Sequence, residues 1–85
     1  MAHLGKVTIA TWNKFKKLSE ISNIVLEDGK TYILQICNPA YVISSSVEPT
    51  DGGFYINNPQ IFTYTKVGGE DLWLKSNYAI LNIAE

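Results

Sequence analysis

The sequence predicts an all-β protein, a small antiparallel β-sandwich or barrel of about six to eight short strands. Three observations carry this expectation. Apolar and polar residues alternate with period two in several runs, turn-forming Gly, Pro, Asn and Asp clusters punctuate the chain every ~8–12 residues, and nothing reads as parallel βαβ units. The 85 residues form one β domain, 1–85, because two pieces would each be too small to bury a core. Residues 1–5 are expected to be a flexible N-terminal tail.

From Lys6 onward the elements follow in order. "KVTIAT" sets Val7 and Ile9 against Thr8 and Ala10, a strand rich in branched residues. "WNKFKKLSEISNIVL" repeats Trp12, Phe15, Leu18 and Ile21 every three residues. Ser19, Ser22 and Asn23 interrupt the run, so it reads as an irregular or 3₁₀-like connection. Asp28-Gly29, between "NIVLE" and "KTYILQIC", signals a tight hairpin turn with Gly29 at positive φ. Between Thr31 and Cys37, Tyr32, Leu34 and Ile36 share one face and Ile33, Gln35 and Cys37 the other. Two largely apolar faces indicate a central strand.

Asn38-Pro39 ends that strand, and "AYVISSSV" follows with Val42, Ser44 and Ser46 opposite Tyr41, Ile43 and Val47, which reads as a strand wet on one face. "EPTDGG" is a loop, "FYI" a short strand, "NNP" a turn and "QIFTYTK" an alternating strand. After the loop "VGGED" come the last two strands, "LWLK" and "YAILNIA", joined around Ser76-Asn77. The terminal strand should resist fraying by pairing within the sheet and placing Ala79, Leu81 and Ile83 in the core.

Composition narrows the function classes. An apolar share of 46% against 18% charged residues is that of a globular chain. A net charge of −1 gives no long-range attraction to nucleic acid or an anionic membrane. All seven basic residues are lysines, so no guanidinium is available for bidentate phosphate or guanine recognition. No nucleic-acid or membrane partner is expected, no apolar run approaches a membrane span, and no signal peptide is expected.

Catalytic constellations are also missing from the pattern. His3 stands in the first few residues without an acid or thiol beside it, and Cys37, the single cysteine, lacks an activating base and a disulfide partner. Glu27-Asp28 and Glu70-Asp71 are adjacent acids in turns, without the alternating ligands of a calcium loop. "PTDGG", with Asp51, resembles one half of an aspartyl dyad and has no second half. "KFKK" around Phe15 reads as a solvated face rather than a single-strand binding patch. No cofactor, metal or phosphate-loop pattern is present, and the expectation is a protein that is not an enzyme.

The aromatic stock is large for one small domain. Trp12, Tyr32, Tyr41, Tyr55, Tyr64, Trp73 and Tyr78 combine apolar area with a polar tip, suiting cores, subunit interfaces and sugar-stacking platforms. Together with Gln35 they are the candidate structural and interaction residues. Trp73 is expected to be buried between Leu72 and Leu74.

The order of motifs adds a resemblance. "TW" precedes "KLSEI", then come "LEDGKTYILQICN", the loop "EPTDGGFYI", "DLWLKS" and "AILNIAE". From Thr11 to Glu85 this resembles a group of short phage-encoded virion structural proteins. Gly29, Thr31, Tyr32, Gln35, Asn38, Trp73 and Asn82 match their pattern in order, and Cys37-Asn38-Pro39 replaces the more usual Asn-Gly-type turn. The resemblance implies a capsid decoration, head-tail, tail or baseplate accessory β-sandwich, made in the host cytoplasm and located in the virion, which works by assembling. Its expected partners are itself, as a homo-oligomer with a trimer as the preferred number, and other virion proteins. The alternative is a small carbohydrate-binding module for host-surface glycans, using exposed Tyr or Trp with Asn side chains.

Overall fold

A computed structural model describes residues 3–50, 52–57 and 59–85. It is a two-layer antiparallel sandwich. Its elements are β1 (His3–Ile9), β2 (Lys16–Lys17), α1 (Leu18–Ile21), β3 (Thr31–Cys37), β4 (Ala40–Ser45), β5 (Phe54–Ile56), β6 (Gln60–Thr65), β7 (Asp71–Lys75) and β8 (Ala79–Ala84). The first sheet has the order β1-β8-β3-β6 and the second β2-β7-β4-β5.

Alternation decides which residues meet. In the first sheet Val7 pairs with Leu81, Leu34 with Ile83 and with Phe62, and Ile36 with Leu81, so one face is continuously apolar. In the second sheet Val42 pairs with Leu74 and Ala40 with Ile56. Apart from Phe62, which is half-buried and packs against it, these residues, with Leu18, Tyr32 and Leu72, belong to the buried cluster between the layers. Ala79, Leu81 and Ile83 are fully buried in β8, flanked by β1 and β3, and this anchors the C-terminal strand. As expected, β3 is central: β8 and β6 flank it.

Four local expectations need correction. The chain takes up strand structure at His3, so His3, Leu4 and Gly5, expected as part of a flexible tail, belong to β1. β8 continues far enough to pair His3 with Ala84 and Gly5 with Ile83. Met1 and Ala2, the rest of that tail, lie outside the described residues.

The turn at Asp28-Gly29 does not close a hairpin. Lys30 N–H donates to Glu27 C=O at 3.2 Å and Gly29 alone takes positive φ, +79°, which is the pattern of a type II turn. Both edges of β3 are already occupied, so "NIVLE" has no strand to pair with there. It instead lays Ile24 and Leu26 against the core, and the Glu27 N–H donates to the Tyr32 hydroxyl at 2.8 Å.

In β4 the face of Val42 and Ser44 is the core side. Val42 is buried, and Ser44 beside it bonds the Tyr64 hydroxyl at 3.1 Å and donates to Glu70 Oε1 at 2.9 Å. A half-buried hydroxyl with two partners satisfies the rule that enclosed polar groups be hydrogen-bonded.

Trp73 is buried as expected, but on the face away from Leu72 and Leu74. It pairs with Lys17 and Ile43 across the outer side of the second sheet. Its indole N–H donates to Ser45 C=O at 3.0 Å and Lys17 Nζ stands 5.5 Å from its ring centroid. The segment around Lys16 is a two-residue strand followed by a single turn of α-helix, close to the irregular connection its sequence suggests.

Candidate functional site

One end of the second sheet gathers an aromatic cleft. Three chain reversals meet there: the link after β1, the β3–β4 turn and the β7–β8 turn. Ser76, only 6% exposed, ties them together. Its C=O accepts from the N–H groups of Thr11 and Trp12, each at 2.9 Å, and its own N–H donates to Thr11 Oγ1 at 3.2 Å. The Ser76 hydroxyl donates to Pro39 C=O at 2.6 Å and accepts from Tyr78 N–H at 3.1 Å. One buried residue therefore fixes the three segments relative to one another.

The clamp holds unusual backbone. Trp12 has φ of +62° and Asn38 +76°, the two non-glycine residues in the left-handed region among the described residues. Asparagine tolerates that region, whereas a bulky side chain there is an outlier costing about 1–3 kcal/mol. Lys14 N–H donates to Thr11 C=O at 3.3 Å, closing a four-residue turn around Trp12. The strained turn leaves the indole in solvent, 68% exposed.

Around this frame lies a concavity of about 370 Å³, lined by Trp12, Tyr41, Tyr55, Lys75, Asn77 and Tyr78 beside the clamp. Tyr55 and Tyr78 are more than half exposed. Tyr41 and Tyr55 are register partners on the outer side of the second sheet, and their ring centroids stand 4.8 Å apart at a 42° tilt. Lys75, the register partner of Tyr41 on the other side, places Nζ 4.6 Å from the Tyr41 centroid and 4.8 Å from that of Phe15. The arrangement is a mixed aromatic and cationic surface, wide enough for a ring-shaped ligand.

Of the eight residues singled out from the sequence, Trp12, Tyr41, Tyr55 and Tyr78 converge here. Tyr32 is fully buried, Tyr64 is half-buried against the core and Trp73 is buried on the outer side of the second sheet, each polar tip hydrogen-bonded within the fold. Gln35 is on the outer side of the first sheet, where Asn82 Nδ2 donates to its Oε1 at 3.3 Å. Sequence reasoning missed Lys75, Ser76 and Asn77 as site residues. The Ser-Asn pair marked the turn, but nothing local tells that its serine clamps segments remote in sequence.

A second hollow, of about 320 Å³, opens where β5 and β6 form the adjacent edges of the two sheets. It is lined by Val42, Phe54, Tyr55, Ile56, Gln60 and Phe62. Phe54 is 80% exposed at this hollow, whereas Ile61 of β6, 66% exposed, lies with Gln35 on the outer side of the first sheet.

The residues weighed for catalysis are dispersed. His3 Nε2 lies 3.4 Å from Asn82 Oδ1 on the first sheet's outer side, and Cys37 is a half-buried free thiol. Glu27 and Asp28 pair with Lys30 and Lys66, and Asp71 with Lys17. Asp51 lies outside the described residues. Among the described residues no three His, Cys, Asp or Glu side chains gather as a metal site.

No protein-family model matches the chain, and neither a curated protein nor a solved structure is significantly similar to it.

Proposed function

We propose that the chain is a non-enzymatic virion accessory module that works by self-association and attachment to other virion proteins. The observation that carries this reading is the open apolar margin between β5 and β6. Phe54 is almost wholly exposed there, above a hollow floored by the core residues Val42 and Ile56. Edge strands with exposed apolar side chains are where chains pair, and a patch continuous with the core is the type of surface that obligate partners cover. A second copy of the chain is the assigned occupant. The domain is small and lacks a disulfide, so association adds the burial that one core of this size supplies sparingly. Resemblance to short phage virion proteins supports the context, and a closed ring, with three copies preferred, is the symmetry that reading implies.

Hydrogen–deuterium exchange at low and high protein concentration tests the margin. Amides of β5 and β6 should gain protection as concentration rises. Protection gained only elsewhere, or nowhere, overturns the assignment.

A second reading, glycan binding, is favoured by a different observation, the clamped aromatic cleft around Trp12, Tyr55 and Tyr78. Exposed rings held by a rigid frame suit the apolar face of a sugar, and the Asn77 amide suits its hydroxyls. The two readings use separate hollows on either side of Tyr55 and are compatible in one attachment protein.

A further inference from the structure

We infer that the aromatic cleft takes a pyranoside that carries a carboxylate, with Lys75 as the residue that selects the acid. This rests on the glycan reading of the cleft and adds the ligand's charge.

The inference comes from the lysines. Lys6, Lys14 and Lys16 are exposed, and the remaining four are half-buried. Three of those four have carboxylate partners: Lys17 with Asp71, Lys30 with Glu27 and Glu85, and Lys66 with Asp28. Lys75 is the exception. Among the described residues its ammonium has no carboxylate within ion-pair distance and lies instead against the Phe15 and Tyr41 rings. Among the described residues, a protein of net charge −1 thus presents an uncompensated cation in a cleft lined by no acid.

The rings and the cation divide the recognition between them. Cation–π contact holds Nζ in place by attraction to ring faces and leaves its N–H donors unspent. A carboxylate arriving in the cleft would accept from those donors in a charge-assisted hydrogen bond, stronger than one to a neutral hydroxyl. Tyr78, Tyr55 and Trp12, each more than half exposed, offer faces of negative quadrupole to the C–H-bearing face of the sugar ring. Trp12 is held in its strained conformation and Ser76 fixes the turns, so the surface exists before ligand arrives and little ordering cost falls on binding. A neutral sugar would keep the stacking and lose the ion pair, whereas a small carboxylate such as acetate would keep only the ion pair.

Isothermal titration of the full chain tests this with four probes: trigalacturonate, its neutral methyl ester, sialyllactose and lactose. The acidic member of each pair should bind at least tenfold more tightly than the neutral one, with the preference shrinking as salt is raised. Tyr78→Ala should weaken binding of every sugar at least tenfold. Lys75→Met, which retains the apolar stem, should bring each acidic probe down to its neutral counterpart. Equal binding of acidic and neutral probes to the wild type, or a preference indifferent to salt, overturns the inference and leaves the glycan reading standing. No binding of any probe at millimolar concentration overturns both. The salt series uses only the wild-type chain, so the test survives a Lys75 variant that does not fold.

Discussion

At Trp12 a φ of +62° puts a bulky indole where glycine or asparagine is the ordinary occupant, and the indole then contributes its surface mostly to solvent. Trp73 is the opposite case, 4% exposed and hydrogen-bonded through its indole to Ser45. The two tryptophans should therefore respond oppositely to truncation. Trp73→Ala should lose about 3–5 kcal/mol, seen as a fall in melting temperature of about 4–8 °C for each kcal/mol in a domain of this size. Trp12→Gly should melt at or above the wild-type temperature, because glycine accepts positive φ without strain. A Trp12→Gly variant that melts well below wild type would mean that the indole is structural. The sequence points to burial only for Trp73, which stands between Leu72 and Leu74, and says nothing of Trp12, which stands among Thr11, Asn13 and Lys14. Trp73's burial was legible from its strand, although the face it takes was not expected, whereas Trp12's place depends on the Thr11 and Trp12 N–H groups donating to Ser76, far along the chain.

Among the elements, period-two alternation made most strands legible: β3, β5, β6 and β8 fall where their apolar faces require. The hairpin expected at Asp28-Gly29 was not available, because turn chemistry reports a reversal but not the partner, and β8 and β6 already flank β3. Ser44 illustrates the same gap, since its inward position is stabilised by Tyr64 on β6 and Glu70 in the β6–β7 loop. β8 lies between β1 and β3, so deleting residues 80–85 removes the pairing partner of both. The truncated chain should give no β-sheet circular dichroism and no cooperative melt; a folded truncation would show that the first sheet can close without it.

The end of β8 is also held electrostatically. Lys30 Nζ lies 2.8 Å from Glu85 Oε2, and this hydrogen bond is the main cause that raises the Lys30 ammonium above its ordinary value of 10.5. A raised lysine stabilises the fold in full below its ordinary value and loses that contribution as pH climbs through the raised one. Denaturant titrations from neutral pH to above 10.5 should show wild-type stability falling at the alkaline end relative to Lys30→Met. Parallel curves for the two proteins would remove this contribution from the account.

For the molecule as a whole, the two layers bury a single core and leave two unlike surfaces on either side of Tyr55. One is the apolar margin of β5 and β6, assigned here to a second copy; the other is the clamped cleft, assigned to an acidic sugar. Composition and periodicity anticipated the sandwich, and the sequence singled out four of the aromatic residues that line the cleft, Trp12, Tyr41, Tyr55 and Tyr78. Their convergence was not legible, because it depends on the registers that set Tyr41 opposite Tyr55 and Lys75 opposite Tyr41. The central claim, that this chain works by associating with itself, is tested most directly by light scattering of the full-length protein after size exclusion. A discrete multimer is expected, with three copies as the preferred number, that Phe54→Ser reduces to a folded monomer. A wild-type chain that remains monomeric at high micromolar concentration would contradict it.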